Sequence, residues 1–345
     1  MATELVGLDP DAVVDLHLDL LQELLVASGE PNPFGSRWLP KLRSGGVRLQ
    51  GCPIYVPAEE TGEAGLRAAL RQINAFHAAI RENPDDVLLV RSRADLDRLA
   101  DDGRVGLVLT LEGAEPVGYD LDLVDLLWQL GVRVVTLTRA RANLYGGGNA
   151  EADGVGLTAL GEVLVDRLVG VGMIVDLAHT SAQSFDDVLG RVAGRAPVLV
   201  SHAGCRALLA SGHNVSDDHL RRVAEAGGIL GVIAIPHVVH HRDWSIDRVL
   251  DHLEHAVEVM GEGAVALGAD FVHQLFQAGA LPRLLKDTGM PEGITLESAI
   301  VGLRGPEDFP NLVEAMARRG WSDELRRKVL HGNALRHLAS ALPPG

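Results

Sequence analysis

The chain has 345 residues, a formal net charge of −16, 47% apolar residues and only 4% aromatic residues. This charge argues against nucleic acid as a partner, because binding to phosphate backbones needs a clustered basic surface. No apolar run reaches the roughly 18 residues that span a bilayer, and two cysteines cannot build a disulfide framework.

The two ends of the chain predict a soluble, cytoplasmic protein. The opening MATELVGLDPDAVVDLHLDLL lacks the basic start, apolar stretch and small-residue cleavage site of a secretory signal. The closing LASALPPG is too short and too mixed for an anchor signal. We therefore expect no association with a membrane.

Eight apolar runs, most of them rich in β-branched residues, are predicted to be strands. Helical stretches with apolar residues at i, i+3 and i+4 lie between most of them. Examples begin at Gly65 and Leu157, and a third has Ser216 as its predicted N-cap. In chain order, the predicted strands are residues 13–16, 47–50, 105–111, 132–138, 173–178, 198–201, 229–235 and 265–268.

Strands that alternate with helices predict an α/β fold with parallel βαβ units. Eight units within roughly 250 residues match the closed (β/α)8 TIM barrel. The alternative is an open doubly wound sheet, which gathers its ligands near a glycine-rich first turn. Here the first predicted strand ends in His17-Leu18-Asp19 without glycines, so the barrel is favoured. We predict one domain over residues 1–345, with a long first loop at residues 20–45 and a helical tail from about residue 308.

Side chains that bind divalent metals follow the ends of several predicted strands. Because strand ends meet at one rim of a barrel, we expect these side chains to converge. Imidazole and carboxylate groups together suit zinc or a similar borderline ion. The candidate ligands are His17, Asp19, Glu112, His179 and His202. This set is excessive for one metal and sufficient for two, so the sequence predicts a metal-dependent enzyme.

Asp270 follows the last predicted strand in the same way. Two metals about 3.5–4 Å apart can share a bridging hydroxide and stabilise the oxygens of a displacement. A carboxylate near that hydroxide can accept its proton and pass it to a leaving amine, which is the catalytic role predicted for Asp270. The structural alternative is that Asp270 caps the next helix.

The chain resembles the membrane or renal dipeptidases, peptidase family M19 of the amidohydrolase superfamily. The resemblance implies a (β/α)8 barrel of the metal-dependent amidohydrolase type with two Zn²⁺, and it is compatible with a homodimer. It implies that His17 and Asp19 hold one zinc, that His179 and His202 hold the other, and that Glu112 bridges both. The matching stretches are DLHLDLL at Asp15, GGVRLQ…YVP from Gly45, TLEGAEP at Thr110, GVRVVTLT at Gly131, VDLAHTS at Val175, LVSHAG at Leu199, NVSDDHLR at Asn214, LGADF at Leu267 and the closing PNLVEAMARRGWSDELRRKVLHGNALR.

The substrate site departs from the family pattern at two positions. Arg139 stands where the family has a histidine that polarises the scissile carbonyl, and His213 stands where it has an arginine that binds the substrate's terminal carboxylate. Arg139 can still stabilise an oxyanion as a permanently charged fork, whereas the charge of His213 depends on its surroundings. Asn214, Tyr145 and His273 are the other predicted substrate contacts.

These features predict a binuclear zinc hydrolase for a dipeptide or a related small amide. One alternative is a diverged member of the family that acts on a dedicated substrate in specialised metabolism, including by a non-hydrolytic reaction such as a tautomerisation. Another is a binding protein without catalysis on a retained barrel, which the complete ligand set with Asp270 disfavours.

Overall fold

The computed structural model describes residues 8–57, 60, 62–151, 154–274 and 298–345. Its strands form one parallel sheet in the order β2-β1-β9-β8-β7-β6-β5-β4-β3, which closes through pairing of β2 with β4. The strands are Val13–Asp15 (β1), Val47–Tyr55 (β2), Val87–Leu89 (β3), Val105–Glu112 (β4), Val132–Thr136 (β5), Ile174–Asp176 (β6), Val198–Ala203 (β7), Ile229–Val232 (β8) and Val265–Leu267 (β9).

The fold is the predicted (β/α)8 barrel. Each of the eight predicted runs overlaps a strand of the closed ring, although several strands end earlier or later than expected. The ninth strand, β3, was not predicted. It pairs only with the first residues of β4, since β5 takes the same edge of β4 further along.

Helices pack around the ring, and several of them begin at a side-chain cap. Ser216 accepts a hydrogen bond from the backbone N–H of His219, as the sequence predicted. The helices are Leu20–Val26 (α1), Leu39–Ser44 (α2), Glu63–Glu82 (α3), Arg93–Asp101 (α4), Leu123–Gln129 (α5), Ala159–Val171 (α6), Ala182–Val192 (α7), Asp217–Glu225 (α8), Pro236–Val239 (α9), Ile246–Met260 (α10), Phe309–Arg318 (α11), Asp323–Arg327 (α12) and Asn333–Ala341 (α13). Among the helices of the described residues, none combines the length and the apolar character of a membrane-spanning segment.

The segment at residues 20–45, predicted as a long loop, is largely helical. It contains α1, a π-helical turn at Phe34–Trp38 and α2. The prediction of a loop was wrong because the Gly, Pro, Asn and Ser residues near the centre of this segment only separate its helices. Phe34 and Trp38 are each only 1% exposed, so tertiary packing holds this segment against the core.

Aliphatic side chains fill the inside of the barrel. Val14, Leu49, Val108 and Val134 belong to this inner cluster, and residues of α13 pack against it. Leu338 of α13 lines the same small interior cavity as Leu49, Val108 and Val134. The helical C-terminal segment therefore packs against the barrel interior, whereas the predicted ligands lie at the carboxyl ends of the strands.

Candidate metal centre

The five predicted ligands lie at the carboxyl ends of four strands of the ring or directly after them. His17 and Asp19 follow β1, Glu112 ends β4, His179 follows β6 and His202 lies near the end of β7. All five are buried, with at most 8% of each residue exposed. The parallel barrel therefore collects at one rim side chains that are far apart in the sequence.

Glu112 lies at the centre of this cluster. Its Oε1 is 2.9 Å from Nε2 of His179, and its Oε2 is 3.7 Å from Nε2 of His17. The Nε2 atoms of His179 and His202 are 2.8 Å apart, and the rings of His17 and His202 have centroids 3.7 Å apart. The carboxylate thus faces imidazoles that come from two sides of the rim.

Several ligand atoms of the cluster are buried and have no hydrogen-bond partner among the described residues. They are Nε2 of His17, Oδ1 of Asp19 and Oε2 of Glu112. Buried polar atoms without partners are costly, and a divalent cation removes that cost. Imidazole nitrogens together with carboxylate oxygens are a donor set that zinc and similar ions accept. These residues therefore fit a metal centre.

Two groups of potential ligands are close enough to hold an ion. The first is His17, Glu112 and His202, and the second is His17, Asp19 and Asp270. Within each group the ligand atoms lie within 4.8 Å of one another. His17 belongs to both groups, so the potential ligands lie around this residue.

Burial controls the charges in the cluster. It lowers the pKa of His17 to about 4 and holds the pKa of His202 well below its usual value, so both imidazoles are neutral, as metal ligation requires. Burial together with the charge of Glu112 raises the pKa of Asp19 to about 8. Burial also acts to raise the pKa of Glu112, but the hydrogen bond from His179 and the charge of Arg139 hold it below its usual range.

Asp270 lies beside the ligands with a left-handed backbone. Its φ is 52°, its N–H donates to the carbonyl oxygen of His17 over 3.0 Å, and its Oδ1 is 3.9 Å from Nε2 of His17. His179 also has a positive φ, of 60°. Such a backbone is uncommon for residues other than glycine and concentrates at functional sites. Burial, together with the charges of Asp19 and Glu112, raises the pKa of Asp270 well above its usual value.

Arg139 contacts the ligand cluster directly. Its Nε donates to Oε1 of Glu112 over 3.2 Å, and its guanidinium lies 3.9 Å from the centroid of the Tyr55 ring. Only 12% of its side chain is exposed. Burial acts to lower the pKa of Arg139, but the charge of Glu112 outweighs this and raises it.

His213 borders the cluster on the side of His179. The centroids of these two rings are 4.5 Å apart, and the ring of His202 is 6.5 Å away. Burial is the main reason that the pKa of His213 lies well below its usual value, and the neighbouring His179 lowers this pKa further. Both positions that depart from the family pattern therefore lie next to predicted metal ligands.

The other predicted substrate contacts have varied surroundings. Asn214 donates through Nδ2 to the carbonyl oxygens of Leu209 and Val238. Tyr145 is fully buried, and its hydroxyl donates to the carbonyl oxygen of Gly118. His273 is half-buried and lies three residues after Asp270. Their roles in substrate binding stay predictions.

Four residues near the ligands were not singled out from the sequence. Tyr55 lies beyond the predicted end of β2, so its position at the rim was not foreseen. Asp15 accepts from the backbone N–H of Ala269 over 2.8 Å and thereby ties β1 to the segment that carries Asp270. Asp176 and Ser201 were recognisable only as polar residues at the ends of buried strands.

Comparison with known proteins gives a consistent assignment. Residues 8–287 match the sequence profile of membrane dipeptidase, peptidase family M19. The dipeptidase aclJ of Aspergillus oryzae is 30% identical over 318 residues, which cover 88% of this chain and 70% of that protein. The dipeptidase ataJ of Aspergillus terreus is 29% identical over 337 residues, which cover 88% of this chain and 76% of that protein.

Solved structures show the same fold. An amidohydrolase from Pseudomonas aeruginosa superposes with a TM-score of 0.79 at 25% identity, over 96% of this chain and 97% of that one. A metallopeptidase from Rhodobacter sphaeroides, bound to a phosphinate mimic of the dipeptide L-Ala-D-Ala, superposes with a TM-score of 0.82 at 24% identity, over 96% of this chain and 100% of that one.

Proposed function

The chain belongs to the membrane dipeptidase family, peptidase family M19, and from this premise we propose that it is a binuclear zinc hydrolase that cleaves the amide bond of a dipeptide or a related small amide. The observation that carries the proposal is the buried cluster around Glu112, whose Oε2 and the Nε2 of His17 have no hydrogen-bond partner among the described residues. A hydrolase with a metal cofactor explains why these atoms are buried together.

His17 and Asp19 would hold one zinc, His179 and His202 the other, and Glu112 both. The two oxygens of Glu112 support this division, since Oε1 is nearer to His179 and Oε2 faces His17. When bound, the zinc ions supply an activated water at neutral pH and polarise a carbonyl oxygen. The protein's part is to keep the imidazoles neutral and the carboxylate charged, and burial with the nearby Arg139 supports both states.

Asp270 would accept a proton during the attack on the amide and deliver it to the leaving amine. An acid–base group works best when its pKa lies near the pH of the reaction. Burial and the neighbouring carboxylates raise the pKa of Asp270 in that direction. The backbone hydrogen bond from Asp270 to His17 keeps its carboxylate beside the ligands.

Arg139 would stabilise the negative charge that develops on the carbonyl oxygen. The ring of Tyr55 and the carboxylate of Glu112 hold the guanidinium, and this preorganisation makes an electrostatic contribution effective. Only Nε is used in the bond to Glu112, so the guanidinium has further N–H groups for a substrate oxygen. His213, whose ring lies 4.5 Å from that of His179, would contact another part of the substrate.

The exchange of arginine and histidine supports a second candidate, a family member with a dedicated substrate. The specific observation is that the permanent positive charge lies against Glu112, whereas His213 lies in surroundings that disfavour its protonation. A dipeptide with a free carboxylate then has a weaker partner at position 213. A cytoplasmic location and a homodimer also stay predictions.

A substrate panel with the zinc-loaded enzyme tests both candidates. It should contain L,L-dipeptides, L,D-dipeptides, the same dipeptides with an amidated C-terminus, and N-acyl amino acids. Hydrolysis that disappears with a chelator and returns with zinc supports the proposed function. Faster cleavage of the amidated dipeptides than of the free acids supports the altered substrate site. Absence of hydrolysis across the panel would contradict the dipeptidase proposal and leave the dedicated substrate as the better explanation.

A further inference from the structure

A buried carboxylate behind the ligand cluster is saturated with hydrogen bonds. Asp176, at the end of β6, is 2% exposed. Its Oδ1 accepts from the backbone N–H groups of Ala178 and Ser201 over 3.0 and 2.9 Å. Its Oδ2 accepts from the hydroxyls of Thr136, over 2.9 Å, and Ser201. With two donors on each oxygen, Asp176 acts only as an acceptor.

The saturation of Asp176 determines the direction of the next hydrogen bond. A serine hydroxyl has one proton, and that of Ser201 is donated to Asp176. The Oγ of Ser201 also lies 2.8 Å from Nδ1 of His202. Because its proton is already used, Oγ must accept in this second bond. Nδ1 of His202 therefore carries the proton of the neutral imidazole, and Nε2 keeps a lone pair.

We propose that Asp176 and Ser201 are positioning residues that fix His202 in its Nδ1–H tautomer and so present Nε2 as the ligand to the metal. This proposal rests on the proposed metal centre. It goes beyond that centre by naming the groups that orient one of its ligands. A hydrogen bond to one imidazole nitrogen determines which of the two nitrogens can bind a metal.

The strands themselves hold these positioning residues. Thr136 and Asp176 are register partners on β5 and β6, and Asp176 pairs with Leu199 on β7. The carbonyl oxygen of Ser201 lies so close to Gly268 that a Cβ at that position would collide with it. Groups on packed strands keep a tighter geometry than groups on loops. The tautomer of His202 is therefore set before a metal arrives.

The first test replaces Ser201 with alanine, which removes the hydroxyl between Asp176 and His202. Nitrogen-15 NMR of histidine-labelled protein, with His202→Gln used to assign the signal, reports the tautomer without any metal. Wild-type His202 should show the Nδ1–H form, and S201A should show a mixture. Zinc affinity, measured by competition with a chromophoric chelator, should fall by about 10–100-fold in S201A.

The matched control is Thr136→Val. It also removes one hydroxyl donor from Asp176, yet Thr136 makes its bond to Asp176 and not to His202. T136V should keep the Nδ1–H tautomer and wild-type zinc affinity, and thermal unfolding should show that both variants fold. An equal loss of zinc affinity in T136V and S201A would mean that the carboxylate acts through packing alone, and the proposal would be wrong.

A second variant, Asp176→Asn, reverses the hydrogen bonding without a change of size. The amide nitrogen donates to Ser201, whose hydroxyl then donates to Nδ1 of His202 and favours the Nε2–H tautomer. We expect a change in the NMR signal and a loss of zinc affinity at least as large as in S201A. An unchanged Nδ1–H signal in both S201A and D176N would overturn the proposal. A wild-type protein with the Nδ1–H signal but no zinc binding would instead contradict the proposed metal centre.

Discussion

Arg139 donates from its Nε to Oε1 of Glu112 over 3.2 Å, so a permanently charged guanidinium lies against the carboxylate at the centre of the ligand cluster. The cluster has a donor set for cations, yet it already contains one positive charge. A guanidinium in this position would repel a bound metal ion and thereby weaken metal binding. It would also stabilise negative charge on a bound substrate.

We expect Arg139→Gln to lower kcat by about 100-fold, the usual size of the loss when one oxyanion-stabilising group is removed. Zinc affinity should stay the same or increase, since the variant removes a cation from the neighbourhood of the ligands. Steady-state kinetics and metal analysis on the same preparation check both statements. Arg318→Gln is the control, because Arg318 is 62% exposed and pairs with Glu314 on the surface. Wild-type kcat in R139Q would show that Arg139 has no catalytic role.

His179→Ala should lose about one metal equivalent and nearly all activity. His179 faces both Glu112 and His202 through Nε2, so its removal takes a ligand from the middle of the cluster. Metal content after dialysis measures the stoichiometry. His241→Ala, at an exposed position, should keep the wild-type content. Two tightly bound equivalents in H179A would exclude His179 as a ligand.

Asp270→Asn distinguishes two roles for this carboxylate. As a proton carrier, Asp270 can be replaced by asparagine with both metals retained and turnover lost by at least about 100-fold. Asp270 also lies in a group of potential ligands with His17 and Asp19. If D270N loses a metal equivalent, Asp270 is a ligand instead. Normal turnover of D270N would refute both roles.

The sequence predicted the convergence of the ligands because their order along the chain follows the strand order of the barrel. His17, Glu112 and His202 each lie at the end of a buried apolar run, and parallel strands bring such ends together. The contact of Arg139 with Tyr55 could not be predicted in this way. It depends on how far β2 continues and on side-chain packing across the rim.

Two other features were hidden for different reasons. β3 has only three residues and lies outside the closed ring. Its apolar run is too short to be distinguished in the sequence from the end of a helix. The hydrogen bonds of Asp176 join residues from β5, β6 and β7, and no local sequence pattern indicates that these residues contact one another. Both features depend on tertiary contacts, which a local stretch of sequence does not show.

His337 on α13 should make the protein less stable in mild acid. Burial lowers the pKa of His337 to about 4, so the unfolded chain takes up this proton more readily between about pH 6.5 and pH 4. The free energy of unfolding therefore decreases as the pH falls through this window. His337 alone contributes a loss of about 2 kcal/mol between pH 7 and pH 5.

Urea unfolding at pH 7 and pH 5 measures this contribution. The difference between the two values should be smaller in His337→Leu than in the wild type by that amount. His241→Leu is the control, because it makes the same substitution at an exposed histidine. An identical pH dependence in H337L and the wild type would contradict the assignment.

Anomalous diffraction at the zinc absorption edge, from crystals of the zinc-loaded protein, tests the metal centre most directly. We expect two peaks beside Glu112, one about 2.0–2.1 Å from Nε2 of His202 and the other at a similar distance from a nitrogen of His17. Peaks confined to surface histidines, with none near Glu112, would contradict it.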